Sequence, residues 1–547
     1  MTEMQSNNKT WPVVVIGAGP VGLALAGDLG WRGVPCLLVE RGTGEIHQPK
    51  MDLVSVRTME FCRRWGIVDW VEHAGYNRDY PQDYAWVSSL SGGYEFGREP
   101  FPSIKDEPCP PQSPQKRERC PQNFFDPVLR RFVQQSALVD ERHRTEFRSM
   151  KEHERGVTVQ LANLESGQEY EVECQYLIGC DGGASSVKQA LGLQMAGSPV
   201  LTYTTNAIIE CEGLEAWHDK KPGYRYIFIG PEGTWGTMVA INGRDQWRVS
   251  LVGDGNVRTL NEDDMAGVFR RMLGRDDVPF KVLSVMPWIR RQLVADNYGR
   301  GRTWIAGDAA HLTSPTGGFG MNMGIQDSVG LGWTLAALVQ GWGGPRLLQA
   351  YEIERRPVAI RNVQEATNNL KNMLSPRDQQ GQLQGAFEPG PAGDAARKAF
   401  GEAYTAMMKR EWHTVGIHLG YRYEGSPVVV PDGTPEPPDT VTTYEQTARP
   451  GHRAPHVWLK PGLSTLDLFG RGFVLLRFDP KVSVEAMQAA AAQRGVPLQV
   501  NDIGDAKAAS LYERKLVLVR PDGHVAWRGD AMPQDALAVI DTVRGAA

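Results

Sequence analysis

The sequence predicts an α/β fold: a Rossmann-like parallel-sheet domain, an antiparallel sheet inserted into it, and a small α/β unit towards the C-terminus. Three observations carry this. A run rich in β-branched residues, Val13 to Ile16, leads through Gly17-Ala18-Gly19-Pro20-Val21-Gly22 into the helical pattern LALAGDLGWRG and a second strand, Pro35 to Glu40. Short alternating segments (YRYIFIG, GTMVAING, QWRVSLVG) lie between about 196 and 290, the pattern of antiparallel strands. From about 450 onward FVLLRF, VEAMQAAAAQRG and KLVLVRPDGHVAW read as strand, helix and a hairpin around Asp522-Gly523.

The 547 residues provide for several domains with sizeable cores. A formal charge of -5 offers no basic field to nucleic acid. No uninterrupted apolar stretch of about 18 residues is present, which argues against a membrane span. Behind the polar MTEMQSNNKT, the apolar run VVVIGAGPVGLALA reads as a motif rather than a signal peptide. Seven cysteines without CxxC pairing or metal-ligand spacing read as reduced thiols, so a cytoplasmic protein without a metal is expected.

In chain order, residues 1–80 open the nucleotide-binding domain, and 81–115, rich in Pro, Gly and Ser, form an irregular excursion towards the inserted domain. Residues 116–195 return to the first domain with a helix over Asp126 to Gln135 and the strands GVTVQLANL and YEVECQYLIGC. Residues 196–290 form the antiparallel sheet. Residues 291–375 complete the first domain, with a strand over Thr303 to Ala306 and a long helix from Met323. Residues 376–449 read as a helical and Pro/Gly-rich linker, and 450–547 as the final unit.

Chemistry concentrates at the ends of the predicted parallel strands. Gly17 permits a tight turn, Gly19 lets backbone approach a pyrophosphate, Pro20 opens the helix and Gly22 lets it pack closely. Glu40, at the end of the next strand, suits the hydroxyls of an adenosine ribose, with Arg41 and Lys50 as nearby counter-charges. This motif does not separate FAD from NAD. Two further motifs do: Asp181-Gly182 after the strand YLIG, and Gly307-Asp308-Ala309-Ala310-His311 leading into PTGGFGMNMG. An Asp at a strand end suits the hydroxyl chain of a flavin ribityl. Glycines behind it let backbone N–H groups reach the isoalloxazine edge.

The order GxGxxG, DG, GDAAH with a Gly-rich helix start resembles the single-component FAD-dependent aromatic hydroxylases, over roughly residues 10–360. The resemblance implies FAD held by Asp181, Gly182, Gly307, Asp308, Gly318, Gly320, Met321 and Asn322, with Gln122 against the flavin chain and Arg57 on a helix beside it. It also implies NADPH or NADH as a transient co-substrate, O2 as oxidant and a small aromatic substrate. The chain departs from the family at Gly183-Ala184, Lys188, Phe319 and Lys50.

MDLVSVRTME is similar to a phenol hydroxylase segment in which an aspartate five residues before the arginine deprotonates the substrate. That implies Asp52 as the catalytic base, and a phenolate is the form whose ortho carbon attacks electrophilic oxygen. Pro315, at the head of the Gly-rich loop, is the second catalytic candidate, and His47 and His311 are rival bases, with a structural job at the loop the preferred reading for His311. A surface-turn role for Asp52 competes with the catalytic one. Tyr203, Tyr226, Arg225 and Trp288 are pocket candidates, together with Tyr224, Phe228, Trp235 and Arg244. PGHRAPHVWL and LVRPDGHVAWR resemble the thioredoxin-like tail of the phenol hydroxylase and 3-(3-hydroxyphenyl)propionate hydroxylase branch. With no cysteine after Cys211 that tail cannot exchange dithiols, so a structural or homodimer-contact role is expected. The readings are hydroxylation of a phenol- or catechol-type ring with or without expulsion of a nitro group or halogen, tailoring of a fused-ring polyketide, or a non-catalytic flavoprotein.

Overall fold

The computed structural model describes residues 10–46, 48–253 and 256–547. His47, one of the rival bases, lies outside the described residues. The opening strand Thr10–Ile16 pairs in parallel with Cys36–Val39 on one side and Glu169–Gly179 on the other. Val139–Arg142 and Thr303–Ile305 extend this parallel sheet outward, again in parallel. The central strands are apolar because both faces are covered, with helix Pro20–Trp31 packed on the sheet and the antiparallel hairpin Thr145–His153/Gly156–Asn163 sharing its core: Val13, Val14, Val15, Leu37 and Leu38 are fully buried.

Register matters more than content here. Ile16 is opposite both Val39 and Gly179, and Gly179 is opposite Ile305. Four strands therefore end in one row, and the segments that follow them leave one edge of the sheet. Ligands of open parallel sheets bind at that edge.

The second sheet runs in the spatial order His311–Leu312, Lys281–Ala295, Met195–Glu210, Gln246–Val252, Gly233–Ala240, Arg225–Gly230, Tyr84–Val87, Glu95–Glu99. Its two longest strands, Met195–Glu210 and Lys281–Ala295, pair along their length and run out of the first domain into the second. The 81–115 excursion is thus only partly irregular, since Tyr84–Val87 and Glu95–Glu99 form the sheet's far edge. The expected 376–449 linker contains the helix Pro391–Trp412. That helix buries Tyr404, Met408 and Trp412 in the core of the second sheet. Sequence pattern missed this because only one face of the helix is apolar and its partner sheet is far away in the chain.

The C-terminal sheet has the order Leu498–Asp502, Phe473–Arg477, Leu516–Val519, Val525–Gly529, with helices Glu485–Gln493, Ala506–Tyr512 and Ala536–Val543. The first pair of strands is parallel and the remaining pairs antiparallel, as in a thioredoxin-like unit. One face of it shares a core with Trp333 and Trp342 of the first domain. Buried ion pairs complete the docking: Arg520 with Glu354, and Arg453 with Glu60. No helix among the described residues is long and apolar enough to cross a membrane.

Candidate active site

Gly17 adopts φ +100, and a Cβ there would lie 2.5 Å from the Cys180 carbonyl oxygen. A Cβ on Gly22 would come within 1.8 Å of the Gly17 carbonyl oxygen, so the first helix turn seats directly on the loop. Gly19, the N-cap of helix Pro20–Trp31, is different, for a Cβ there would meet nothing within 4 Å. The helix N-terminus therefore opens onto free space, as a pyrophosphate site requires.

That space is a cleft of about 620 Å³ along the sheet edge. Gly17, Gly19, Pro20, Glu40, Arg41, Gln122, Asp181, Gly182, Asp308, Pro315, Gly318, Gly320 and Met321 all line it. Glu40 accepts the Ala18 N–H at 2.8 Å and the Gly42 N–H at 2.6 Å, which fixes its carboxylate with lone pairs left for ribose hydroxyls. Gln122 is tied to the Lys50 N–H and to Asp126. Both Asp181 oxygens are taken by Ser185 and by the N–H groups of Ser186 and Val187, so this aspartate shapes the turn by capping the next helix. The Asp308 side chain is exposed in the cleft. An extended cleft with an open helix N-terminus at one end and two strand-end acids fits FAD, with Glu40 on the adenosine side and Asp308 on the ribityl side.

Two expectations for the cleft, Arg57 and Asn322, need correction. Arg57 is not beside the cleft. It is buried against the C-terminal unit, donating to Glu60, Tyr421 and the Asp522 carbonyl. Asn322 is fully enclosed, accepting from Ser55 N–H and Thr58 Oγ1 and donating to the Leu53 and Gly318 carbonyls. Its amide pins two loops together and has nothing left for a ligand. Arg41 extends to Glu146 at the rim with its side chain 75% exposed. His311 is buried and bonded to Asp327 at 2.7 Å, a structural position.

At its inner end the cleft meets a chamber of about 110 Å³ between the second sheet and the Gly-rich loop. Asp52, Trp288, Arg248 and Pro315 line both spaces. Arg225 and Trp288 line the chamber as expected. Tyr203 and Tyr226 do not. Thr204 lines both the chamber and a neighbouring cavity, whereas Tyr203 lines only that second cavity. Tyr226 is fully buried in the core, donating to the Lys221 carbonyl. Phe228 and Trp235 are core residues, and Arg244 turns out to the Gly75 carbonyl.

Asp52 is the centre of the chamber's polar network. It accepts the Tyr224 hydroxyl at 2.5 Å and lies 3.3 Å from Arg119 and 3.5 Å from Arg248. Arg119 also donates to the hydroxyls of Tyr224 at 3.0 Å and Tyr84 at 2.7 Å. Burial pushes the Asp52 carboxyl up, but Arg119 and Arg248 with the Tyr224 hydroxyl outweigh it and hold it below the ordinary carboxylate value. Arg119, Arg248, Glu411 and Trp412 were not anticipated. They come from three distant segments, and nothing in their local sequence marks them.

Fold and site together define a class: a flavoprotein whose FAD cleft meets a small polar and aromatic chamber at its inner end. Residues 10–366 match the model of the FAD binding domain family, and residues 447–547 match that of the aromatic-ring hydroxylase C-terminal domain. The chain belongs to this family and is an FAD-dependent aromatic-ring monooxygenase. It is similar to the rebeccamycin biosynthetic enzyme RebC, with 37% identity and a TM-score of 0.90 over 98% of this chain and 99% of that one. Tetracenomycin B2 monooxygenase-dioxygenase of Streptomyces olivaceus is 31% identical over 97% of both chains. The 2,4-dichlorophenol 6-monooxygenase of Delftia acidovorans is 30% identical over 94% of both.

Proposed function

We propose that this enzyme hydroxylates a phenolic ring, taking electrons from NADPH or NADH and one oxygen atom from O2. The observation that supports it is the Asp52–Tyr224–Arg119 constellation where cleft and chamber meet. Tyr224 donates its proton to Asp52 and already accepts one N–H from Arg119, which leaves its oxygen one remaining lone pair to receive a ring hydroxyl. The proton of the substrate then has a path through Tyr224 to Asp52, and Arg119 faces the negative charge left on the oxygen. Asp52 alone is too acidic to deprotonate a phenol, and the arginine makes the transfer feasible by stabilising the phenolate. When bound, the flavin supplies the reduction and activation of O2, and the chain supplies placement and proton handling.

A chamber of about 110 Å³ is on the scale of a cavity that takes a single aromatic ring. A second reading, tailoring of a fused-ring natural product, is favoured by the 37% identity to RebC over nearly the whole of both chains. The chamber's continuity with the cleft leaves room for a longer substrate to lie across both.

The test is NADPH and NADH oxidation by FAD-loaded protein with single-ring phenols, nitrocatechols and halophenols against fused-ring phenols, with product masses recorded. A product heavier by one oxygen, or release of nitrite or halide, from the single-ring set supports the first reading. Turnover confined to the fused-ring set supports the second. Silence across both sets would refute the phenolic reading.

A further inference from the structure

Arg290 occupies an unusual position in the chamber. It lies on the strand Lys281–Ala295, and the two-residue period of that strand places Met286, Trp288 and Arg290 on the chamber face. The residue is 5% exposed. Its Nε donates to Thr204 at 3.1 Å, and its Nη1 has no partner.

The chamber's other arginines are each committed to a carboxylate. Arg119 and Arg248 serve Asp52, Arg225 pairs with Glu411 at 2.9 Å, and Arg117 pairs with Glu107 outside. Among the described residues no carboxylate reaches ion-pair distance of Arg290. Burial, and then the neighbouring Arg225, push its pKa down to about 9 against the opposing pull of Glu411, which is already paired with Arg225, so it stays charged at neutral pH. A buried cation whose nearby carboxylate is already bonded to another arginine is costly to a fold. The natural account is that its partner arrives with the ligand.

The surroundings agree. Arg225 Nε, Trp288 Nε1 and Trp412 Nε1 are also buried donors without acceptors, and Glu411 Oε2 is a buried acceptor without a donor. All four residues line the same chamber. Four unused donor atoms against one unused acceptor describe the complement of an oxygen-rich, negatively charged group. The flat guanidinium fork favours a planar oxyanion.

We infer that Arg290, with Arg225, Trp288 and Trp412 around it, is a receptor for a carboxylate on the substrate, so the ring oxidised by this enzyme belongs to an aromatic acid. The inference rests on reading the chamber as the substrate site.

The test uses FAD-loaded protein and two matched probe pairs: 3-hydroxybenzoate with 3-hydroxybenzamide, and 3-hydroxy-2-naphthoate with its amide. Binding is read from the flavin absorbance change and from thermal melting, so no turnover is needed. For at least one pair the acid is expected to bind roughly ten- to a hundredfold more tightly than the amide. Arg290→Gln is expected to remove that preference and Arg290→Lys to keep part of it. Without ligand, Arg290→Met is expected to melt no lower than the wild type, because it replaces an unpaired buried charge by apolar volume. A residue that served only the fold would lower the melting temperature. Failure of both acids to bind, equal affinity for acid and amide in both pairs, or an unchanged preference in Arg290→Gln each overturns the receptor. Turnover of neutral phenols without any acid preference would overturn it and leave the hydroxylase reading standing. Arg290-dependent acid binding without ring oxidation would do the reverse.

Discussion

Glu60 joins the FAD domain to the C-terminal unit, and its loss can be weighed in two ways. Its carboxylate is buried between Arg57 at 2.7 Å and Arg453 of the C-terminal unit, and it accepts Ser113 Oγ at 2.6 Å. Burial pushes the group up, but Arg453 and Arg57 outweigh it and bring it down to about 2. Against an ordinary glutamate near 4.3 to 4.5, that fall is worth about 3 kcal/mol at about 1.4 kcal/mol per pH unit. Removing one partner of a buried pair costs about 3–5 kcal/mol by comparison with other proteins. The two figures agree, so Glu60→Gln is expected to destabilise the folded chain by about 3 kcal/mol at neutral pH. The folded value lies below the unfolded one. The carboxylate's contribution is therefore complete above about pH 5 and is lost as pH falls towards about 2. Urea unfolding of both proteins at about pH 7, 5 and 3 reads this directly. The deficit should be equal at the two higher values and shrink at the lowest. A deficit below about 1 kcal/mol, or one as large at pH 3 as at pH 7, would refute the ion-pair account.

Gly22→Val places a side chain where a Cβ alone comes within 1.8 Å of the Gly17 carbonyl oxygen, and the variant is expected to lose its flavin on desalting. Retention of stoichiometric FAD would contradict the close seat of the first helix turn. Asp52→Asn is expected to lower kcat/KM for ring hydroxylation by about a hundredfold or more while FAD content holds, measured as oxygenated product per NAD(P)H consumed. Because Asp52 is held below the ordinary carboxylate value, the acid limb of the wild-type pH–rate profile is expected under about pH 4. A limb near neutrality would move the base elsewhere. Stripping FAD is expected to lower the melting temperature, and re-addition at about a hundredfold excess over Kd to restore about 2.7 kcal/mol. Equal melting of the apo and loaded forms would remove the cleft from consideration as the FAD site.

Much of the cofactor site was legible from short range. A glycine that must take φ +100, a helix N-terminus and an acid at a strand end are local requirements, so they leave local signatures in GAGPVG, Glu40, CDGG and GDAAH. Arg57 and Asn322 mislead for the same reason. They stand in the right motifs, but where a side chain points is decided by its neighbours, here Glu60 and Asp522 in one case and Ser55, Thr58 and Leu53 in the other. Tyr226 and Arg225 differ by one residue and face opposite sides of one sheet. The sequence showed aromatic and basic residues in alternation without showing which face would be closed.

The sequence by itself determined the parallel-sheet domain, the order of the three flavin motifs and a C-terminal unit without dithiol chemistry. Each follows from residue periodicity, from backbone conformations open only to glycine, or from the plain absence of cysteine. Only the tertiary structure decided the substrate chamber, because its walls come from Asp52, Arg119, Tyr224, Arg290 and Glu411, which share no segment. Whether a buried charge is paired depends on distances of a few ångströms between such residues, and that information exists only once the chain has folded.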